Sequence, residues 1–245
     1  MRNPNAILAI NGSHRSEKGF TEIVLNTFLK GVKSASAKWE MLYPSKKKII
    51  ACESCGKCLF ETPGVCKFND DMESIIQKME AADLLIFACP VYFDSMPSDM
   101  KKMIDRLRVT LDAFFEFRDG RTYHLKNSEK RQSVVLIFTA GNPERESLVS
   151  ISRVFNRIVD NMGWQLEGEF HFPASHLLAA EPELLSAQLE ALTKSGQEFV
   201  SQGKICKEII EAVNREYIED PEATLSQMTQ TILKMREGHT ALKNN

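Results

Sequence analysis

The sequence has no long apolar run. No segment of its 245 residues approaches the ~20 apolar residues that a membrane-spanning helix needs, which sets a helical membrane protein aside. It has no excess of either charge. With 31 Lys and Arg against 33 Asp and Glu, no basic field awaits a nucleic acid, and the one short basic run, Lys46-Lys47-Lys48, reads as a solvated stretch. Internal repeats and low-complexity tracts are absent. Also missing are the dinucleotide fingerprint G-x-G-x-x-G, the triphosphate loop ending in Gly-Lys-Ser/Thr and the G-x-S-x-G elbow. These absences argue against a hydrolase or methyltransferase on a doubly wound sheet. The early apolar stretch Ala6 to Ile10 is too short for a signal-peptide core, so a cytoplasmic location is the expectation. What is present, 43% hydrophobic and 26% charged residues, is an ordinary globular composition. Six cysteines in such a chain read as thiols, metal ligands or redox groups rather than structural disulfides.

Apolar runs alternate with helix-patterned stretches. Ala6–Ile10, Leu84–Cys89 and Ser133–Phe138 read as buried parallel strands. Trp39–Tyr43 and Glu169–Phe172 alternate and read as two more. Helices are predicted over Thr21–Val32 with Thr21 as cap, Asp70–Met79 capped by Asn69 or Asp70, Ser98–Leu107 with Ser98 as cap, and Glu146–Met162 stopped by Gly163. This rhythm implies an α/β fold: a flavodoxin-like, doubly wound, five-stranded parallel sheet in the order 2-1-3-4-5. It occupies residues 1–180. From Glu181 the pattern is helical only, over 183–202, 204–217 and 223–235 with a break at Asp220-Pro221. Residues 181–245 therefore read as a helical C-terminal extension packed on the core or on a partner subunit.

Two loops carry candidate binding groups. After the first strand, Gly12 and Gly19 permit close backbone approach. Ser13, Ser16 and Thr21 offer hydroxyls, and Arg15 a charged fork. A strand-to-helix loop of this kind aims backbone N–H groups at an anion, and a phosphomonoester fits it better than a dinucleotide. After the third strand, Pro90, Val91, Tyr92, Phe93, Ser95 and Met96 form a rigid loop able to hold a flat ring system. Cys89 reads as a small core residue, and His14, His171 and His176 as loop or strand histidines. The Asp70-Asp71 pair is explained by helix capping and dipole complementarity. Cys52-x2-Cys55-x2-Cys58-x7-Cys66 admits three readings: an iron–sulfur cluster, a zinc site (less favoured, with no His in the stretch) or free thiols.

Gly12-Ser13-x-Arg15, the cysteine cluster with Asp70-Asp71-Met72, Ala82-Asp83-x4-Ala88-x-Pro90-Val91-Tyr92 and Lys101-x3-Asp105-Arg106 follow one another in this order. Together they resemble the NAD(P)H-dependent FMN reductase family, most closely its iron–sulfur flavoprotein branch, over roughly Ala6 to Phe172. The resemblance implies FMN, with its phosphate around Ser13, Arg15, Gly19 and Thr21. It places the isoalloxazine against Pro90, Val91, Tyr92 and Ser95, and against Thr139, Ala140 and Gly141. It implies a 4Fe–4S cluster on Cys52, Cys55, Cys58 and Cys66, and an enzyme passing electrons from NAD(P)H or a ferredoxin-like donor to a small-molecule or protein redox partner. A homodimer or homotetramer is implied as well. No catalytic acid or base is required, because the flavin carries the chemistry. Two positions depart from the family pattern: His14 stands where Pro is frequent and Phe20 where Asn is, which removes one side-chain contact to the phosphate. The competing reading is a flavin-free binding protein on the same scaffold.

Overall fold

The computed structural model describes residues 6–126 and 130–243, with backbone alone at 126 and 237–243. Strand β1 (Ile7–Asn11) leads into helix α1 (Phe20–Ser34), then β2 (Trp39–Leu42), the one-turn α2 (Lys57–Phe60) and α3 (Met72–Ala81). Next come β3 (Leu84–Pro90), α4 (Ser98–Arg106), a hairpin of β4 (Leu111–Arg118) and β5 (Arg121–Lys126), β6 (Ser133–Thr139), α5 (Val149–Asn161) and β7 (Gln165–Phe172). Four helices close the chain: α6 (Leu177–Ala180), α7 (Ser186–Gln202), α8 (Lys207–Val213) and α9 (Pro221–Lys243). Among the described residues no helix is long and apolar enough to cross a membrane.

The main sheet is parallel in the order β2-β1-β3-β6-β7, which is the expected 2-1-3-4-5 once the hairpin strands are set aside. Alternate side chains leave a strand on opposite faces, and here both faces are covered. Ile7, Ala9, Ile86 and Ile137 point into a layer with α1 and α7, while Leu8, Ile10, Phe87 and Phe138 point into a layer with α3, α4 and α5. All of these side chains are buried, which is why the strands read as unbroken apolar runs.

The C-terminal helices extend the first layer. Leu192 and Phe199 of α7, Val213 of α8 and the following Tyr217 belong to the same core as α1. Helices α1 and α7 cross at two glycines. A Cβ on Gly31 would stand 1.9 Å from the Thr193 carbonyl oxygen, and one on Gly196 would stand 2.2 Å from that of Phe28. Only hydrogen fits at this crossing.

Several boundaries differ from the sequence expectations. Helix α1 starts at Phe20 with Gly19 at its cap position, because Thr21 turns its hydroxyl to Thr139 instead. Helix α4 has Pro97, not Ser98, at the cap position. Helix α5 begins at Val149 after a short 3-10 turn. Gly163, at φ 56°, follows its end as a left-handed stop. Strand β7 begins at Gln165, four residues before the predicted strand. Asp220-Pro221 begins α9: the Asp220 carboxylate accepts the Ala223 N–H at 2.9 Å, and Pro occupies the first helical position. The β4–β5 hairpin is not anticipated from the sequence at all.

Candidate functional site

The loops after β1, β3, β6 and β7 converge on one cavity of about 650 Å³. The first loop is shaped by its own polar groups. Buried Asn11 accepts the Ser13 N–H at 2.8 Å, and the Ser13 hydroxyl accepts the Arg15 N–H at 3.2 Å. The Ser16 N–H bonds back to the Ser13 carbonyl at 3.0 Å. Gly19 closes the loop, where a Cβ would press to 2.7 Å from the Ser13 hydroxyl. Helix α1 then starts: the Glu22 N–H bonds back to the Gly19 carbonyl at 3.1 Å, and the amides before it have no intrahelical partner. Thr21 and Thr139 join their hydroxyls at 2.8 Å, tying the helix start to the end of β6. The Arg15 guanidinium lies over the Phe20 ring at 5.4 Å and has no carboxylate partner among the described residues. Phe20 therefore supplies an apolar wall and a platform for a cation in place of an amide contact.

The loop after β3 is a tight turn. Tyr92 and Ser95 exchange backbone bonds at 2.9 and 3.2 Å, and between them Phe93 and Asp94 stand at φ 49° and 58°, a left-handed region unfavourable to side chains. The Phe93 ring is fully in solvent. The Val91 N–H bonds the Thr139 carbonyl at 2.8 Å, which ties this loop to the end of β6.

Of the residues expected to bind the cofactor, Ser13, Arg15, Gly19, Phe20, Thr21, Pro90, Val91, Tyr92, Thr139 and Gly141 line the cavity. The rest do not. Ser16 gives its hydroxyl to Ser45 at 3.1 Å. Ser95 holds the turn, and Met96 is buried in the second core layer. Ala140 is buried, its N–H on the Phe172 carbonyl at 3.0 Å. Phe93 borders a neighbouring shallow depression with Asp94 and Asn142.

Sequence reasoning missed two parts of the wall. The first is the segment after β7, where His176 and Leu177 line the cavity. Burial holds the His176 imidazole below its ordinary range, with Glu181 opposing, and its Nδ1 is buried without a partner among the described residues. The second is α9, which lays Met228, Ile232 and Met235 against the cavity. Their spacing puts them on one helical face, a signal legible in the sequence although its target was not. His171 pairs with Glu169 at 2.6 Å, and His14 lies 3.4 Å from Asp99 and beside the Tyr92 ring. Cys89 is wholly buried, which pushes its thiol up.

Cys52, Cys55, Cys58 and Cys66 line a second cavity, of about 490 Å³. Ser54 at φ 53° and Gly56 at φ 73° turn the backbone between them. Helix α2 then starts, with Gly56 accepting the Leu59 N–H at 3.0 Å, and Gly64 returns its N–H to the Cys58 carbonyl at 3.1 Å. Burial and then the nearby Cys66 and Cys52 push the Cys58 thiol up, with Arg108 opposing. Among the described residues no three His, Cys, Asp or Glu side chains are gathered tightly enough for a single ion. The loop is pinched shut at its base. Asp70 accepts Arg106 Nη1 at 2.7 Å and Nη2 at 3.1 Å, and also the N–H groups of Ile50 and Met72. Asp71 takes the Lys48 N–H at 2.7 Å. The acidic pair is thus structural.

A doubly wound parallel sheet in the order 2-1-3-4-5, with its strand-exit loops gathered around one cavity, marks the flavodoxin-like class. Within that class the chain belongs to the NADPH-dependent FMN reductase family, whose sequence profile matches residues 5–154. An iron–sulfur flavoprotein of Methanosarcina thermophila is 32% identical over 100 residues, 41% of this chain and 51% of that one. A Bacillus subtilis protein named as an NAD(P)H-dependent FMN-containing oxidoreductase is 29% identical over 163 residues, covering 66% of this chain and 81% of that one. The match thus spans about half the length of the iron–sulfur flavoproteins. Among solved structures, a Bacillus anthracis azoreductase aligns with a TM-score of 0.60 at 14% identity over 80% of this chain and all of its own. An NAD(P)H:quinone oxidoreductase from Methanothermobacter marburgensis aligns at 0.57 and 14% over 81% of this chain and 98% of its own. These two similarities are of fold alone.

Proposed function

We propose that this protein is an FMN-dependent oxidoreductase that moves electrons from NAD(P)H or a ferredoxin-like donor to an acceptor, with a 4Fe–4S cluster on Cys52, Cys55, Cys58 and Cys66 as a relay. The observation that carries the reading is the gathering of Ser13, Arg15, Gly19 and Thr21 with Tyr92, Thr139 and Gly141 around one cavity. The fit is chemical. A bare glycine edge, first-turn N–H groups and an unpaired guanidinium suit a phosphate, and the prolyl-tyrosyl turn beside it suits a flat ring. FMN, when bound, takes two electrons as a hydride and releases them singly or together. The chain's own task is to hold and seclude it. Arg15 would neutralise the phosphate, Tyr92 and Val91 would flank the ring, and Met228, Ile232 and Leu177 would keep water from the other side.

The cluster reading draws on the four thiols lining one cavity, on a guanidinium beside them whose Nη1 is buried without a partner among the described residues, and on the iron–sulfur flavoproteins among the relatives. A four-iron core places each thiolate on a different iron, farther apart than ligands of one ion, so the loose gathering of these cysteines suits it better than zinc. Association into a homodimer or homotetramer and a cytoplasmic location belong to the same proposal.

The test is anaerobic purification followed by a visible spectrum and analysis of flavin, iron and sulfide. Yellow protein with one FMN per chain supports the flavin reading, and colourless protein that refuses added FMN overturns it in favour of a flavin-free binding protein. Cys55→Ala should abolish the cluster absorbance and spare FMN. Reduction rates with NADH, NADPH and reduced ferredoxin then identify the donor.

A further inference from the structure

A second guanidinium stands beside the four cysteines, in addition to Arg106, which reaches Cys66. Arg108 lies on the 3-10 turn Leu107–Thr110 after α4 and lines the same cavity as Cys52, Cys55, Cys58 and Cys66. Its Nη1 is buried and has no hydrogen-bond partner among the described residues. Arg106, two residues earlier and facing the same cavity, is instead satisfied by Asp70 and by the Ile50 carbonyl at 2.8 Å.

The carboxylates bordering the pocket are already engaged. Asp105 takes Lys101 at 2.7 and 3.0 Å, and Glu53 takes Lys67. His124 of β5 is kept below its ordinary range by burial and by Arg108 itself, so it stays neutral and offers Arg108 no counter-charge. The field of Arg108 falls on Cys58. A buried N–H donor is costly without an acceptor, and among the described residues the sulfur-rich surface Arg108 meets is the cysteine pocket. Hydrogen bonds to cluster sulfurs are one of the means by which a protein sets a cluster's potential.

We propose that Arg108 donates from Nη1 to a sulfur of the 4Fe–4S cluster, either a cysteine Sγ or an inorganic sulfide, and thereby favours the reduced cluster. The inference rests on the cluster reading above. One electron enters the cluster from the flavin or an external donor, no bond forms or breaks, and the proton stays on the guanidinium. Arg108 is therefore a positioning residue that opposes the added negative charge.

The test reconstitutes wild type, Arg108→Gln and Arg108→Lys with iron and sulfide under anaerobic conditions, FMN content serving as the control for folding. Each is titrated against potential with the cluster followed by electron paramagnetic resonance. At the wild-type midpoint, Arg108→Gln should show about a tenfold lower ratio of reduced to oxidised cluster, a midpoint lower by about 59 mV for a one-electron couple. Arg108→Lys, which keeps the charge and loses the fork, should fall between. Equal midpoints in all three overturn the role of Arg108 and leave the cluster standing. Wild type with FMN but neither iron nor sulfide overturns both. If the Gln variant fails to retain its cluster, the Lys variant decides: a lowered midpoint supports the assignment and an unchanged one overturns it.

Discussion

The Asp70–Arg106 pair closes the base of the cysteine loop, and Asp70→Asn tests how much depends on it. The two side chains are 0% and 3% exposed. Asn keeps the shape and one acceptor oxygen but leaves the guanidinium buried and uncompensated. Removing one partner of a buried pair costs about 3–5 kcal/mol. For a chain of this size each kcal/mol is worth roughly 2–4 °C in Tm, so a loss of roughly 6–20 °C is expected. Arg106→Met should cost a similar amount. The double variant should recover only part of it, because one of the N–H groups of Ile50 and Met72, and the Ile50 carbonyl, lose their partners as well. The pH dependence has a definite sign. Burial pushes the Asp70 carboxyl up, but the Arg106 fork and the Ile50 and Met72 N–H groups outweigh it, and the net shift is down. A folded value below the unfolded one of about 3.9 contributes stability above that value and loses it as the pH falls through the folded one. The gap between wild type and Asp70→Asn should therefore be constant from pH 7 to about 5 and close in stronger acid. Urea denaturation followed by circular dichroism at three pH values measures it. A gap under about 1 kcal/mol at pH 7, or one that widens in acid, would refute the reasoning.

Three further outcomes are expected. Gly196→Ala drives a methyl into the Phe28 carbonyl at the α1–α7 crossing and should destabilise by about 1–3 kcal/mol in thermal melts. Gly19→Ala crowds the Ser13 hydroxyl and should raise the FMN Kd about tenfold, or about 1.4 kcal/mol, while flavin-free stability changes by less than about 1 kcal/mol; fluorescence titration separates the two. Met228→Glu puts a charge on the α9 wall of the cavity, outside both core layers, and should speed FMN release in stopped flow with little change in Tm.

The centre of the main sheet was legible because β1, β3 and β6 are buried on both faces, so that Leu84 to Cys89 could carry no polar interruption. The first loop was legible for a related reason: a buried strand that ends in Asn-Gly-Ser has to meet a helix. The hairpin was not, since Phe114, Phe115 and Phe117 are largely exposed and follow no two-residue alternation. One signal did mark it. Asp119-Gly120, at φ 51° and 77°, is the dipeptide that two-residue hairpin turns favour. The α9 wall and the Asp70–Arg106 pair were beyond reach, because both join segments that only the tertiary fold brings together. Ser16 and Met96 show the converse error: the residue type suited the site, but Ser45 and the second core layer claimed their side chains.

The two candidate sites share one support, and this bears on why the cysteines follow β2. The segment leaving β2 is bound to the first loop before it reaches the cysteines. The Tyr43 hydroxyl donates to Glu22 at 3.0 Å, the Ser45 hydroxyl meets Ser16 at 3.1 Å, and Lys46 pairs with Glu17. Glu22 also accepts Asn11 Nδ2 at 2.7 Å, and Asn11 is the residue that shapes the turn at Ser13. The returning end of the loop is clamped by Arg106 on α4, the helix that follows the Tyr92 turn. One end of the cysteine segment is thus fastened to the loop that borders the larger cavity, and the other to the helix that follows the Tyr92 turn. A loop held only at its surface could not keep four thiols facing one volume, since each turn through Ser54 and Gly56 adds freedom that must be restrained. Fastening it to the first loop and to α4 restrains it with bonds the fold already makes.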